Sequence, residues 1–397
     1  MKNILVDLID TQEIFKGSGV YIRKVFLSLL KYIDSYTEYA NVHLICTYDS
    51  RKKVLYSDLS KEYLESNPQV TVVDISKTSF PEICSKYSVD TIFLGFGQQI
   101  SNYDFTGIKS RTICVLHDIF DLEFKDTRLD TYLGLNRSFL QRSIDILYNL
   151  YLFLARRREV ISENNIYEAL VNYIKNNSNY IIVTVSQYSF YSIQNYLPIP
   201  ENKIRVLWSP EKEMPSMKSI ENTQLKKIID SGIHYILLVS ANRKLKNAEK
   251  AIKAFSAYKK NNPQEDLLMV VVGYRNPIVD EHIVLLPILS DGDIEHAYKN
   301  CYSLIYPSFF EGFGYPPIEV MKYGKPVLSS NVCSMPEILG DAAIWFSPFY
   351  GTDIYRAICK LMNSDYSQWC KKSYDQYEII NKRQEADLHA LIKLILS

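Results

Sequence analysis

The amino-acid sequence predicts an α/β protein of two doubly wound domains, each built on a parallel sheet. Three observations carry this. The chain has 397 residues, enough for two domains with a core each. Short apolar runs alternate with helical stretches along its length, the pattern that feeds parallel strands. From Leu304 to Gly340 a strand, a loop, a helix and a strand follow in order. That order puts the loop at the carboxyl end of a parallel strand, where open α/β sheets take their ligands.

Composition narrows the function. Hydrophobic content is 47%, charged content 23% and formal net charge +0, ordinary for a globular chain and without bulk attraction for nucleic acid or membrane. No nucleic-acid partner is expected. Seven cysteines, with no C-x-x-C pair, point to free thiols in a reducing compartment. The opening MKNILVDLID carries acids inside its apolar run and lacks a small-residue cleavage site, so it does not read as a signal peptide. No apolar run approaches bilayer length, and a cytoplasmic location is expected.

In chain order, Asn3 to Ile9 reads as the first strand, ending in a loop with Gly17-Ser18-Gly19 before a helix from about Tyr21 to Ile33. Such a glycine pair lets a backbone approach a phosphate or sugar, or simply makes a tight turn. Arg23 lies one turn into the helix. Val42 to Tyr48, Val70 to Ile75 and Thr91 to Leu94 continue the strands, and Thr112 to Leu116 runs into His117-Asp118. A histidine at a strand's carboxyl end is placed for ligand contact, whereas elsewhere it is usually a satisfied structural group; Asp118 could orient the imidazole or cap the loop.

A helical insertion spans about 126–179. Leu140, Ile144, Leu147, Tyr151 and Leu154 form its apolar seam, flanked by Arg137, Arg142 and Arg156-Arg157-Arg158. Either this helix packs on the first sheet or its basic face meets a membrane surface. Tyr180 to Val185 is a strand whose following Ser186 and Ser189 suit a helix cap, and Ile204 to Leu207 closes the first domain. The expected boundaries are 1–208, a linker at 209–231, a second domain at 232–375 and a last helix from 376 to 397.

Tyr235 to Val239 opens the second domain and leads to Asn242-Arg243-Lys244-Leu245-Lys246-Asn247. Cations at a helix N-terminus run against its dipole, and a bound anion removes the conflict. Asp291-Gly292-Asp293 could ligate a divalent cation, but before a helix at Ile294 the reading is a cap, and no metal site is expected. Leu304 to Tyr306 is the strand before the central loop, Glu311-Gly312-Phe313-Gly314. Pro316-Pro317 suit a first helical turn, and Gly324 a left-handed helix end. Glu311 and, seven residues between, Glu319 are acceptor-only when ionised and match the hydroxyls of a ribose or hexose. Alone, either acid would read as a loop cap or a solvated helix-start residue.

The full string PSFFEGFGYPPIEVMKYGKPVL resembles the signature of the retaining glycosyltransferases of family four, with Val320 where the family usually has Ala. The resemblance implies the GT-B fold, two Rossmann-like domains facing a central cleft. It implies that Glu311 and the Gly312, Phe313 and Gly314 amides touch the donor sugar, that Glu319 holds the ribose, and that Lys246 and Arg243 neutralise the diphosphate. It also sets Gly17 and Gly19 of the "G-x-G-x-Y" loop at the cleft, His117 near the anomeric carbon, and the last helix back on the first domain.

The implied activity moves a hexose from a GDP- or UDP-sugar to a hydroxyl of a glycan or lipid-linked acceptor, with retention and without cofactor or metal. Mannose from GDP, or glucose or N-acetylglucosamine from UDP, fits equally. Two alternatives are a non-catalytic partner subunit with the same pocket and a nucleotide-sugar epimerase of similar architecture.

Overall fold

A computed structural model describes residues 1–12, 17–123, 166–212 and 219–397, and every pairing between its strands is parallel. The chain divides into two compact units.

The first unit comprises Met1–Val185, Ser189–Leu207 and Leu388–Ser397. Its strands are β1 (Lys2–Asp7), β2 (Val42–Tyr48), β3 (Val70–Asp74), β4 (Thr91–Leu94), β5 (Arg111–Leu116), β6 (Tyr180–Thr184) and β7 (Ile204–Val206). They are ordered β3-β2-β1-β4-β5-β6-β7, so the order reverses between β1 and β4. Ile4, Leu5, Val6, Ile92, Phe93 and Ile113 are wholly buried, as expected of strands covered on both faces. The helix Gly17–Ser35 buries Tyr21, Ile22, Val25, Phe26, Leu29 and Ile33 at helical spacing.

Gly17 and Gly19 therefore lie in the first turn of a helix, not in a loop ahead of it. Gly19 is needed there because a Cβ would come within 2.9 Å of the Asp10 carbonyl oxygen. Of the helical insertion, residues 166–176 are helical and bury Tyr167, Leu170 and Tyr173. The Leu140–Leu154 seam and its arginines, including Arg137, lie outside the described residues.

The second unit comprises Ser186–Tyr188 and Trp208–Asp387. Its strands β8 (His234–Leu238), β9 (Leu267–Val272), β10 (Ile283–Leu286), β11 (Ser303–Tyr306), β12 (Val327–Ser330) and β13 (Ala343–Phe346) are ordered β10-β9-β8-β11-β12-β13. The reversal falls between β8 and β11. These two strands lead into the basic turn and the glutamate–glycine loop, respectively, so the sheet itself brings the two motifs together.

The stretch 209–231, expected as a linker, belongs to this unit and contains a helix, Thr223–Ser231. Asn222 caps it by accepting from the Leu225 amide at 2.9 Å, Gly232 closes it at φ +72°, and Leu225 and Ile228 face the core. The last helix, Tyr366–Leu396, starts well before the expected 376, and its residues from Leu388 belong to the first unit. None of the seven cysteines is paired in a disulfide. No described helix is long and apolar enough to cross a membrane.

Candidate functional site

After β8 the chain does not pass straight into a helix. It makes a 3-10 turn, Lys244–Lys246, then places Asn247 in the left-handed region at φ +52° before the helix Ala248–Asn261. Asn tolerates that conformation, and its side chain explains the choice. The Asn247 amide donates to the carbonyls of Pro307 at 3.1 Å and Pro348 at 2.8 Å. The Phe309 amide donates to the Leu245 carbonyl at 2.9 Å. The basic turn is thus stitched to the chain leaving β11. Lys246 is carried inward, 8% exposed, while Arg243 and Lys244 stay at the surface.

Lys246 has two partners, the buried Tyr306 and the part-buried Glu311. Its Nζ is ion-paired with Glu311 Oε1 and donates to the Tyr306 hydroxyl at 2.5 Å, standing 4.4 Å from the centre of that ring. Burial, and then the Glu311 charge, push the Tyr306 phenol well above its ordinary range, so it remains protonated. The loop bearing Glu311 is pinned along its length. Ser334 Oγ donates to the carbonyls of Glu311 at 2.9 Å and Phe313 at 3.3 Å. Phe313 is buried edge-on against Trp208 and Tyr315. Gly314 takes φ +92°, where a Cβ would come within 2.2 Å of Met335 Cε. Gly312 is partly exposed beside Glu311.

The helix Tyr315–Met321 then presents Glu319 to a pocket lined by Lys212, Tyr298, Tyr315, Lys322 and Tyr377. Burial pushes the Glu319 carboxyl up, and the Lys212 charge and the Tyr298 hydroxyl pull it back. At the helix end, Gly324 at φ +65° closes a Schellman motif, with the Gly324 amide on Met321 at 2.8 Å and the Lys325 amide on Val320 at 3.4 Å.

Asp291 and Asp293 are engaged by the protein. Asp291 pairs with Lys212 at 3.0 Å, and Asp293 accepts from the amides of Glu221 at 2.8 Å and Asn222 at 3.1 Å. Ser290 caps their helix. No group of three metal-ligating side chains exists among the described residues.

In the first unit, His117 follows β5, its Nε2 3.0 Å from the Gly95 carbonyl and its ring edge-on to Tyr21 at 4.7 Å. Burial lowers its pKa, and the Gly95 carbonyl and the Asp10 charge raise it. Asp118 accepts from the Phe120 amide at 3.2 Å, a local cap. Arg23 pairs with Asp58 and stacks on Tyr56. Sequence reasoning missed Tyr306, Tyr298 and Asp10. Tyr306 could have been found as the last residue of a buried strand one turn of loop before Glu311; the other two carry no local signal.

Residues 219–376 match the family described as Glycosyl transferases group 1. That span is a glycosyl transferases group 1 domain. The domain contains Arg243, Lys246, Tyr306, Glu311, the glycine loop and Glu319.

Curated relatives match in part. A serotype-specific mannosyltransferase WbdA of Escherichia coli is 26% identical over 203 residues, 46% of this chain and 24% of its own length. The O-antigen chain mannosyltransferase RfbU of Salmonella typhimurium is 27% identical over 178 residues, 42% of this chain and 46% of its own. The chain thus spans less than half the length of these relatives.

Solved structures match throughout. Sucrose-phosphate synthase of Thermosynechococcus elongatus aligns over 99% of this chain and 98% of its own at 12% identity, with a TM-score of 0.66. WaaG, described as a glycosyltransferase involved in lipopolysaccharide biosynthesis, aligns over 98% of each chain at 13% identity, with a TM-score of 0.61. The group 1 domain is therefore half of a GT-B fold, as expected.

Proposed function

We propose that the chain is a retaining hexosyltransferase that takes its sugar from a nucleotide diphosphate donor and passes it to a hydroxyl of a glycan or lipid-linked acceptor. The ion pair between buried Lys246 and part-buried Glu311, at the head of the glycine loop, carries this reading. It holds a cation and an acceptor-only carboxylate side by side, the complements of the anionic phosphates and the donor hydroxyls that a sugar diphosphate presents. As the anomeric bond breaks, charge grows on the leaving diphosphate. Lys246 and the exposed Arg243 stabilise it by preorganised attraction, a term of about 3–4 kcal/mol for one such group. Glu311 accepts from the sugar hydroxyls, the loop amides donate to their oxygens, and Glu319 accepts from the hydroxyls of the ribose.

No metal step is proposed, because two cations serve the diphosphate and the Asp291 and Asp293 carboxylates already have protein partners. Retention follows the family resemblance, with the acceptor attacking on the face the diphosphate leaves. The names of WbdA and RfbU favour mannose as the sugar and an O-antigen-like polysaccharide as the product.

The test is incubation of the chain with GDP-mannose, UDP-glucose and UDP-N-acetylglucosamine, with and without mannoside acceptors, following nucleotide release and product anomer by NMR. Acceptor-dependent release of GDP with an α product is expected. Sugar interconversion without acceptor would establish the epimerase, and failure to bind any donor the non-catalytic subunit.

A further inference from the structure

β1 delivers the chain into a short 3-10 turn, Ile9–Gln12, at the carboxyl edge of the first unit's sheet, where the strand order reverses. Polar side chains are buried there together. Asp7 is satisfied, accepting from Thr47 Oγ1 at 2.6 Å, the Ile9 amide at 3.1 Å and the Tyr103 hydroxyl at 2.9 Å. Gln12 is satisfied, exchanging hydrogen bonds with the Asp49 backbone at 3.2 and 2.8 Å. Asp10 is not. It is 2% exposed, and nothing among the described residues donates to either carboxylate oxygen. No other described Asp or Glu has both oxygens in that condition.

An acid buried without donors forfeits its hydration with nothing in return, a cost folds retain chiefly where a ligand recovers it. The surroundings point the same way. The Asp10 charge bears on His117 at the end of β5, whose ring packs against Tyr21 of the first helix. Asp49 has Arg51 at 2.8 Å, but neither Asp7 nor Asp10 is ion-paired among the described residues.

We infer that Asp10 is an acceptor-binding residue of the first unit, taking the hydrogen bond of a hydroxyl on a neutral sugar. The inference rests on the glycosyl-transfer reading above and names the acceptor's class. A hydroxyl donates to the orphaned oxygens and restores what burial removed. A phosphate or carboxylate at the same place adds a like charge beside Asp10 in a low-dielectric edge, where repulsion is strong. The acceptor terminus is therefore an uncharged sugar and not a phosphosugar.

The test uses the full chain and its isosteric Asp10→Asn variant, with methyl α-D-mannopyranoside and mannose 6-phosphate as probes in saturation-transfer NMR. GDP and UDP thermal shifts on the same samples read the second unit. The methyl mannoside signal on wild type is expected to fall at least about fivefold in the variant, as loss of a charge-assisted hydrogen bond requires. Mannose 6-phosphate should bind wild type more weakly than the mannoside, and nucleotide shifts should match in both proteins. The variant should melt no lower than wild type, because the orphaned charge is gone. Equal mannoside signals, no mannoside signal on wild type, stronger binding of the phosphate ester, or a lower melting temperature in Asp10→Asn would each overturn the proposal. Absence of any GDP or UDP shift on wild type would instead count against glycosyl transfer, with the two sugar probes still deciding Asp10.

Discussion

Lys246 concentrates the chemistry at the residue scale. Its charge is held inside the protein by Glu311 and by the Tyr306 hydroxyl, so removing one partner exposes the others' desolvation. Tyr306→Phe keeps the ring under Nζ and loses the hydroxyl. It should lower kcat/KM by about 10- to 100-fold, the worth of a hydrogen bond to a charged group, with circular dichroism unchanged. His117 gives a pH-dependent prediction. Burial lowers its pKa, so the unfolded chain takes up a proton near pH 6.5 before the folded chain does. The unfolded state then binds more protons, and stability is full above about pH 6.5 and falls as pH drops through the folded pKa. Urea midpoints at pH 7.5 and 5.5 should show this loss, and His117→Gln should shrink it. An identical pH dependence in that variant would exclude His117 as the source.

Elements explain why much of the site could be read from sequence and part could not. Glu311, Gly314, Pro316, Glu319 and Gly324 were legible because each serves a local rule, a turn, a first helical turn or a helix end, within one strand–loop–helix–strand unit. Asn247 was read only as the end of a basic turn, because its partners, the carbonyls of Pro307 and Pro348, are remote in sequence. The Gly17–Gly19 helix start was misplaced for a similar reason: what fixes it is the Asp10 carbonyl on another element. The supposed linker hid a helix between Asn222 and Gly232, with cap signals present but its apolar face only two residues wide. These contacts yield two predictions. Asn247→Ala strands two buried carbonyls and strains a left-handed residue, and it should cost about 2–4 kcal/mol in chemical unfolding. Gly314→Ala meets Met335 at positive φ, so it should cost about 1–3 kcal/mol and be only partly relieved by Met335→Ala, which frees space but not the backbone. Full relief would place the strain in the contact alone.

Across the whole molecule, fold class was legible and chain membership was subtler. The first unit takes in the last ten residues, Leu388–Ser397, where Leu391, Ile392, Ile395 and Leu396 are buried. Lys2 Nζ donates to the Leu396 carbonyl at 2.8 Å, and Arg111 Nη1 to Ser397 Oγ at 3.0 Å. Each buried aliphatic is worth about 1.5–3 kcal/mol, so deleting 388–397 should unfold or severely destabilise the first unit, read by protease cleavage mapped to residues before 208.

In the proposed reaction the Lys246 end of the second unit grips a diphosphate. Calorimetric titration of wild type and Lys246→Ala with GDP, GMP, UDP and UMP tests it most directly. The variant is expected to bind the preferred diphosphate at least about tenfold more weakly, the loss of one charged hydrogen bond, and the matching monophosphate nearly as well as wild type does. Equal affinity of both proteins for the diphosphate, or parallel weakening of both nucleotides, would contradict it.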